Sequence, residues 1–138
     1  MKIQVNNKTI DCNYSTDQFG RTIDSSELYN KGLAKVKVGM FINHFGYSDV
    51  TPYEIVGVNK SGKTIKVREM DAKLVDGWKP EILEGGFSGH CVNNGSQEYT
   101  YKSNKNNPTF ILRKSKIGFG KGKYKVSSIP RRFYDYNF

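Results

Sequence analysis

From Val36 onward apolar residues recur with a period of two. Val36, Val38, Met40 and Ile42 fall on one face of an extended strand, and Lys35, Lys37, Gly39 and Phe41 on the other. A second run, Tyr53 to Val58, leads into Asn59-Lys60-Ser61-Gly62-Lys63, and a third sets Ile65 and Val67 opposite Lys66 and Arg68. The Ser61-Gly62 pair between these runs predicts a tight hairpin turn. Residues 76–96 carry Gly77, Pro80, Gly85, Gly86, Gly89 and Gly95 and read mainly as loop. Alternation returns at Gln97 to Lys102, with Tyr99 and Tyr101 on one face. It resumes at Phe110 and Leu112, against Ile111 and Arg113. Gly118, Gly120 and Gly122 punctuate a turn, Tyr124 to Ile129 forms a last strand, and Pro130 ends it.

Short alternating runs separated by Gly-rich turns predict a mainly β domain: a small antiparallel SH3-like barrel or a compact sandwich. Residues 1–35 read as an N-terminal extension, and 36–138 as the β-domain with its basic C-terminal third. In the extension, Ile3 and Val5, then Ile10 and Cys12, flank Asn6-Asn7-Lys8 as a short hairpin. Asp24-Ser25-Ser26-Glu27 caps a short helix through Asn30 that Gly32 ends.

Composition adds bounds. A chain of 138 residues is one domain's worth, and 25% charged with 36% hydrophobic residues lies on the globular side of the disorder boundary. No apolar run reaches the roughly 18 residues a membrane span needs, and Met1–Lys8 lacks the apolar core of a secretory signal. Two cysteines, Cys12 and Cys91, make no disulfide framework, which points to a reducing cytoplasm.

Charge changes the picture more. The net charge is +9, yet the first 99 residues hold 12 basic and 12 acidic side chains. The last 39 hold ten basic residues, Lys102, Lys105, Arg113, Lys114, Lys116, Lys121, Lys123, Lys125, Arg131 and Arg132, against Asp135 alone. Aromatic residues interleave with them, among them Tyr101, Tyr124 and the ending Tyr134–Phe138. Cations attract a phosphate-bearing ligand, and flat rings stack on bases. On an extended strand Lys121, Lys123 and Lys125 share one face, with Lys114 and Lys116 mirroring them across the glycine turn.

Other chemistries fit less well. Gly57-Val58-Asn59-Lys60-Ser61-Gly62-Lys63-Thr64 matches the phosphate-loop string, but that motif needs a helix after Lys-Thr, and here a strand follows. Cys91 with His44 is the weak candidate for nucleophile and base. The adjacent His90 is poorly placed, since neighbouring side chains of an extended segment point apart. Cys12, His44, His90 and Cys91 match no usual zinc spacing, and no motif calls for a cofactor.

Val38-Gly39-Met40, Tyr47-Ser48-Asp49, Lys79-Pro80-Glu81, Gly85-Gly86-Phe87-Ser88-Gly89-His90-Cys91, Gln97-Glu98-Tyr99-Thr100-Tyr101 and Tyr134-Asp135-Tyr136-Asn137-Phe138 together carry a resemblance. Over about residues 36–138 the chain resembles a group of small, largely uncharacterised proteins of phages and prophages of Gram-positive bacteria. Members of that group tend to carry Arg-His after Ser-Asp, where this chain has Val50-Thr51. The resemblance implies a phage setting and the host bacterial cytoplasm, and brings no established activity. Accessory proteins from that setting often act against host defence.

The reading that results is a non-enzymatic β-domain binding nucleic acid or a nucleotide signal. Arg113, Lys114, Lys116, Lys121, Lys123, Lys125, Arg131 and Arg132 supply attraction, Tyr101 and Tyr124 stacking, and Gly86 and His90 a close-approach loop. The alternative is an inhibitor that docks its basic face on an acidic host defence protein. A homo-oligomer is compatible with either, and no membrane partner is expected.

Overall fold

The computed structural model describes residues 2–11, 15–16, 22–23, 36–83 and 90–136. The helix expected over 24–30, Cys12, the Gly85–Gly89 loop with Gly86, and Asn137-Phe138 lie outside the described residues.

The chain begins with a hairpin of β1 (Lys2–Val5) and β2 (Lys8–Asp11). Its turn residues Asn6 and Asn7 hold φ of 50° and 65°, the left-handed pair that a two-residue hairpin turn requires and that Asn tolerates. A two-residue pair follows, β3 (Ser15–Thr16) with β4 (Thr22–Ile23). Then come β5 (Phe41–Phe45), β6 (Val50–Val58), β7 (Thr64–Glu69), β8 (Asp71–Leu74), β9 (Ile82–Leu83) and β10 (His90–Cys91). The last four strands are β11 (Tyr99–Lys102), β12 (Thr109–Ser115), β13 (Gly118–Phe119) and β14 (Tyr124–Ser127).

Six of these strands close an antiparallel barrel in the order β12-β13-β14-β5-β6-β7. This is the small barrel expected from the alternation. Ile42, Ile55, Ile65, Val67, Leu112, Phe119 and Val126 fill it, one or two from each strand. Burying each such side chain contributes about 1.5–3 kcal/mol before conformational entropy is set against it. A second sheet, β2-β1-β11-β8, packs Ile3, Val5, Tyr99 and Tyr101 around Phe41 and Met70. Strand β5 thus serves two cores, Ile42 facing the barrel and Phe41 the second layer. β1 runs parallel to β11, which makes the N-terminal hairpin part of this second sheet.

Local expectations are corrected in two places. The run from Val36 is not one strand: β5 starts at Phe41, after a turn in which Gly39 takes φ +94° and Met40 N–H donates to Lys37 O. Val36 is buried while Val38 is 61% exposed, so the alternation breaks at the turn. Nor is 121–125 one extended segment. Gly120–Gly122 form a 3₁₀ turn in which Lys121 has φ 60°, and β14 begins only at Tyr124. The phosphate-loop string is a hairpin tip between β6 and β7, as its flanking alternation indicates. Lys63 N–H donates to Ser61 Oγ and Thr64 N–H to Asn59 Oδ1, so the loop's own side chains take those amides.

No helix among the described residues is long and apolar enough to cross a membrane.

Candidate ligand-binding site

The barrel has one aromatic end. Two residues along from a buried core position, on the same strand face, lie His44 (after Ile42), Tyr53 (before Ile55), Phe110 (before Leu112) and Tyr124 (before Val126). Antiparallel register brings all four to the same end: Tyr124 pairs with His44, Ile42 with Tyr53, and Phe110 with Val67. Their rings meet. Tyr124 stands 4.5 Å from His44, 5.8 Å from Tyr53 and 6.3 Å from Phe110 between ring centres, and Tyr53 is 5.4 Å from Phe110. The planes cross at 45° to 85°, the tilted and edge-on geometry that aromatic quadrupoles favour. All four remain partly open to solvent, Phe110 the most at 37%.

Among the described residues, the Tyr53 and Tyr124 hydroxyls and the His44 imidazole form no hydrogen bond with protein. Burial, aided by the neighbouring Tyr124 and Glu69, pushes the Tyr53 phenol up to about 12. Burial also raises Tyr124. Both rings therefore stay neutral hydrogen-bond donors at physiological pH.

Basic residues gather on one side of the same end. Lys121 follows Gly120, which lies against the Tyr124 ring. Lys123 offers its carbonyl to Phe45 N–H at 2.8 Å. Lys125 Nζ stands 5.4 Å and Arg131 Cζ 6.0 Å from the Phe45 ring centre, two cations on one aromatic ring. Arg131 owes its place to Asn43, a 4% exposed amide on β5. Its Oδ1 accepts Arg131 N–H at 2.8 Å and its Nδ2 donates to Ile129 O at 3.2 Å. These two bonds satisfy the buried carboxamide and turn the chain past Pro130 back over Phe45. Lys121, Lys123, Lys125 and Arg131 are exposed, and none pairs with a carboxylate among the described residues. The acid of this end, Glu69 on β7, faces Tyr53 and lies three strands round the barrel from β14.

The other candidates are placed as follows. Arg113, Lys114 and Lys116 sit toward the far end of β12 from Phe110, where Lys114 pairs with Phe119, which in turn pairs with Tyr124. Lys114 N–H is bonded to Lys63 O. The Arg132 side chain binds Val50 O and Thr51 Oγ1, and its N–H binds Tyr101 Oη. Tyr101 is 5% exposed, so packing takes up its ring and it offers no stacking face. His90 is exposed on β10, opposite Leu83. Cys91 is buried beside it, and its thiol donates to Asn93 Oδ1 at 3.2 Å. His44 is on β5, packed on Tyr124. His44 and Cys91 lie on strands of different sheets, β5 in the barrel and β10 paired with β9. No three His, Cys, Asp or Glu side chains among the described residues gather as metal ligands.

Several of the segments that carried the resemblance are joined by hydrogen bonds. Asn93 Oδ1 also accepts Glu81 N–H, and Asn93 Nδ2 donates to Lys79 O. Asn94 and Gln97 hold the C-terminal stretch: Asn94 Oδ1 accepts Tyr136 N–H and Gln97 Oε1 accepts Tyr134 N–H. Asp49 Oδ1 accepts Asp135 N–H, and Val50 and Phe133 exchange two backbone bonds of 3.0 Å. Side-chain amides here do the work of a missing strand, binding backbone that no ladder satisfies.

Sequence reading missed Phe45, Tyr53 and Phe110 as parts of a site. Alternation with Leu112 identified Phe110 as an inward position, and only strand register could show that it and Tyr53 share one end with His44 and Tyr124. No family model, no curated protein and no solved structure matches this chain.

Proposed function

We propose that the protein is a non-enzymatic binder of a phosphate-bearing ligand, nucleic acid in the first instance. The observation that carries this reading is the set Lys121, Lys123, Lys125 and Arg131, exposed and without described acidic partners, beside the aromatic end of the barrel. Unpaired surface cations raise the local concentration of polyanions, and adjoining rings supply sequence-tolerant stacking. With the resemblance to phage and prophage proteins, the setting proposed is the host bacterial cytoplasm and the role an accessory one against host defence.

Fluorescence anisotropy of labelled DNA and RNA across a salt series tests this. Binding is expected to weaken with salt by about 0.7 log units per log unit of salt for each single-strand phosphate contacted. Absence of binding at low salt overturns nucleic acid as the ligand. It would turn the search to a nucleotide signal or to an acidic host protein.

A further inference from the structure

Resting on that reading, we infer that the aromatic end of the barrel receives an unstacked nucleobase, so that the ligand is single-stranded nucleic acid.

Three observations lead there. The four rings of His44, Tyr53, Phe110 and Tyr124 cross at steep angles rather than lying in one plane. They pack on one another and form no flat platform, and Phe110 is the most open of them. A base must leave its own stack to lie against the open Phe110 ring, which a single strand allows cheaply and a duplex does not.

Second, the ring cluster is apolar but carries polar handles. Two phenol hydroxyls and an imidazole have no protein partner among the described residues. Groups of this kind match the donors and acceptors on a base edge. The phenols stay neutral, so they can donate without repelling an adjoining phosphate.

Third, charge is split across the end. Lys121 and Lys123 flank Tyr124 on the β13–β14 side, where a sugar–phosphate backbone would run, while Glu69 stands across the barrel. An all-basic rim would favour any polyanion; this one favours an anion on one side and leaves an acceptor for an amino group on the other.

The test uses the full chain and three labelled probes of equal length: a single strand, its duplex, and an abasic single strand. A purely electrostatic surface prefers the duplex, whose charge density is higher. The inference expects the single strand to bind tightest, about tenfold or more above the abasic chain, which has the same phosphates and no bases. Phe110→Ala is expected to lower single-strand binding toward the abasic value. The probe comparison itself uses the unaltered protein, so it holds whether or not that variant folds. Equal binding of all three probes overturns the inference while phosphate binding stands. Displacement of the single strand by an equimolar mononucleotide also overturns it, in favour of a free nucleotide. Failure of every probe to bind removes both readings.

Discussion

Gly120 lies against the ring of Tyr124: a Cβ added to this glycine would stand 2.3 Å from Tyr124 Cδ2 and 2.8 Å from Cε2. Gly120 also takes φ +54°, a conformation other residues adopt only with strain. The close approach holds Tyr124 against His44 and Tyr53, and so shapes the aromatic end from behind.

Gly120→Ala is therefore expected to push Tyr124 out of place and to cost about 1–3 kcal/mol of stability. Gly122→Ala should cost at least as much, because its Cβ would meet the Ile117 carbonyl oxygen at 2.8 Å, and backbone cannot swing aside. Thermal unfolding measures both. Unchanged melting in Gly120→Ala would mean that the ring has room to move.

Lys121→Gln and Lys123→Gln together are expected to leave stability within about 0.5 kcal/mol, since both side chains are exposed. They should flatten the salt dependence of nucleic-acid binding by up to about 1.4 in slope if each lysine meets one phosphate. An unaltered slope would move the phosphate track away from the β13–β14 turn.

Alkaline pH should destabilise the fold through its phenols. The Tyr53 phenol is raised to about 12 from an ordinary 10, chiefly by burial, and Tyr99 and Tyr124 are raised for the same leading reason. A proton held more tightly in the folded state contributes stability that is complete below pH 10 and lost as pH climbs through 12. The melting temperature should fall across that window, and fall less steeply in Tyr53→Phe. Identical pH dependence in the two proteins would remove Tyr53 as a contributor.

Asn93 ties three places together, accepting from Glu81 N–H and the Cys91 thiol and donating to Lys79 O. Asn93→Ala removes all three bonds and is expected to cost about 1–3 kcal/mol. It should also speed the reaction of Cys91 with a thiol reagent, because the sulfur loses the hydrogen bond that Asn93 accepts from it. Equal labelling rates in the two proteins would show that other packing protects Cys91. Cys91→Ala is expected to bind nucleic acid as the unaltered chain does; lost binding would bring the thiol into the function.

Much of this fold can be read from local pattern. The tips at Asn6-Asn7 and Ser61-Gly62 follow from residues that tolerate positive φ, and β11 from the spacing of Tyr99 and Tyr101. The strand from Val36 failed because Gly39 breaks it, and alternation continued through the turn by coincidence. The ridge of Lys121, Lys123 and Lys125 failed for a related reason. Gly118, Gly120 and Gly122 marked a turn, but nothing local showed that Lys121 would join them at positive φ.

Local order therefore determined which residues face inward, where the chain reverses, and that the positive charge belongs to the last 39 residues. Those properties depend on side-chain period and on backbone dihedrals of neighbouring residues. Tertiary structure alone decided which inward residues share an end. His44, Tyr53, Phe110 and Tyr124 come from strands spread over 80 residues of chain, and they meet because closing the barrel fixes the register of every strand against two others. It likewise buried Tyr101, committed Arg132 to Val50 and Thr51, and turned Arg131 back over Phe45 through the amide of Asn43. Hydrogen-bond register is a relation between distant segments, and no window along the chain contains it.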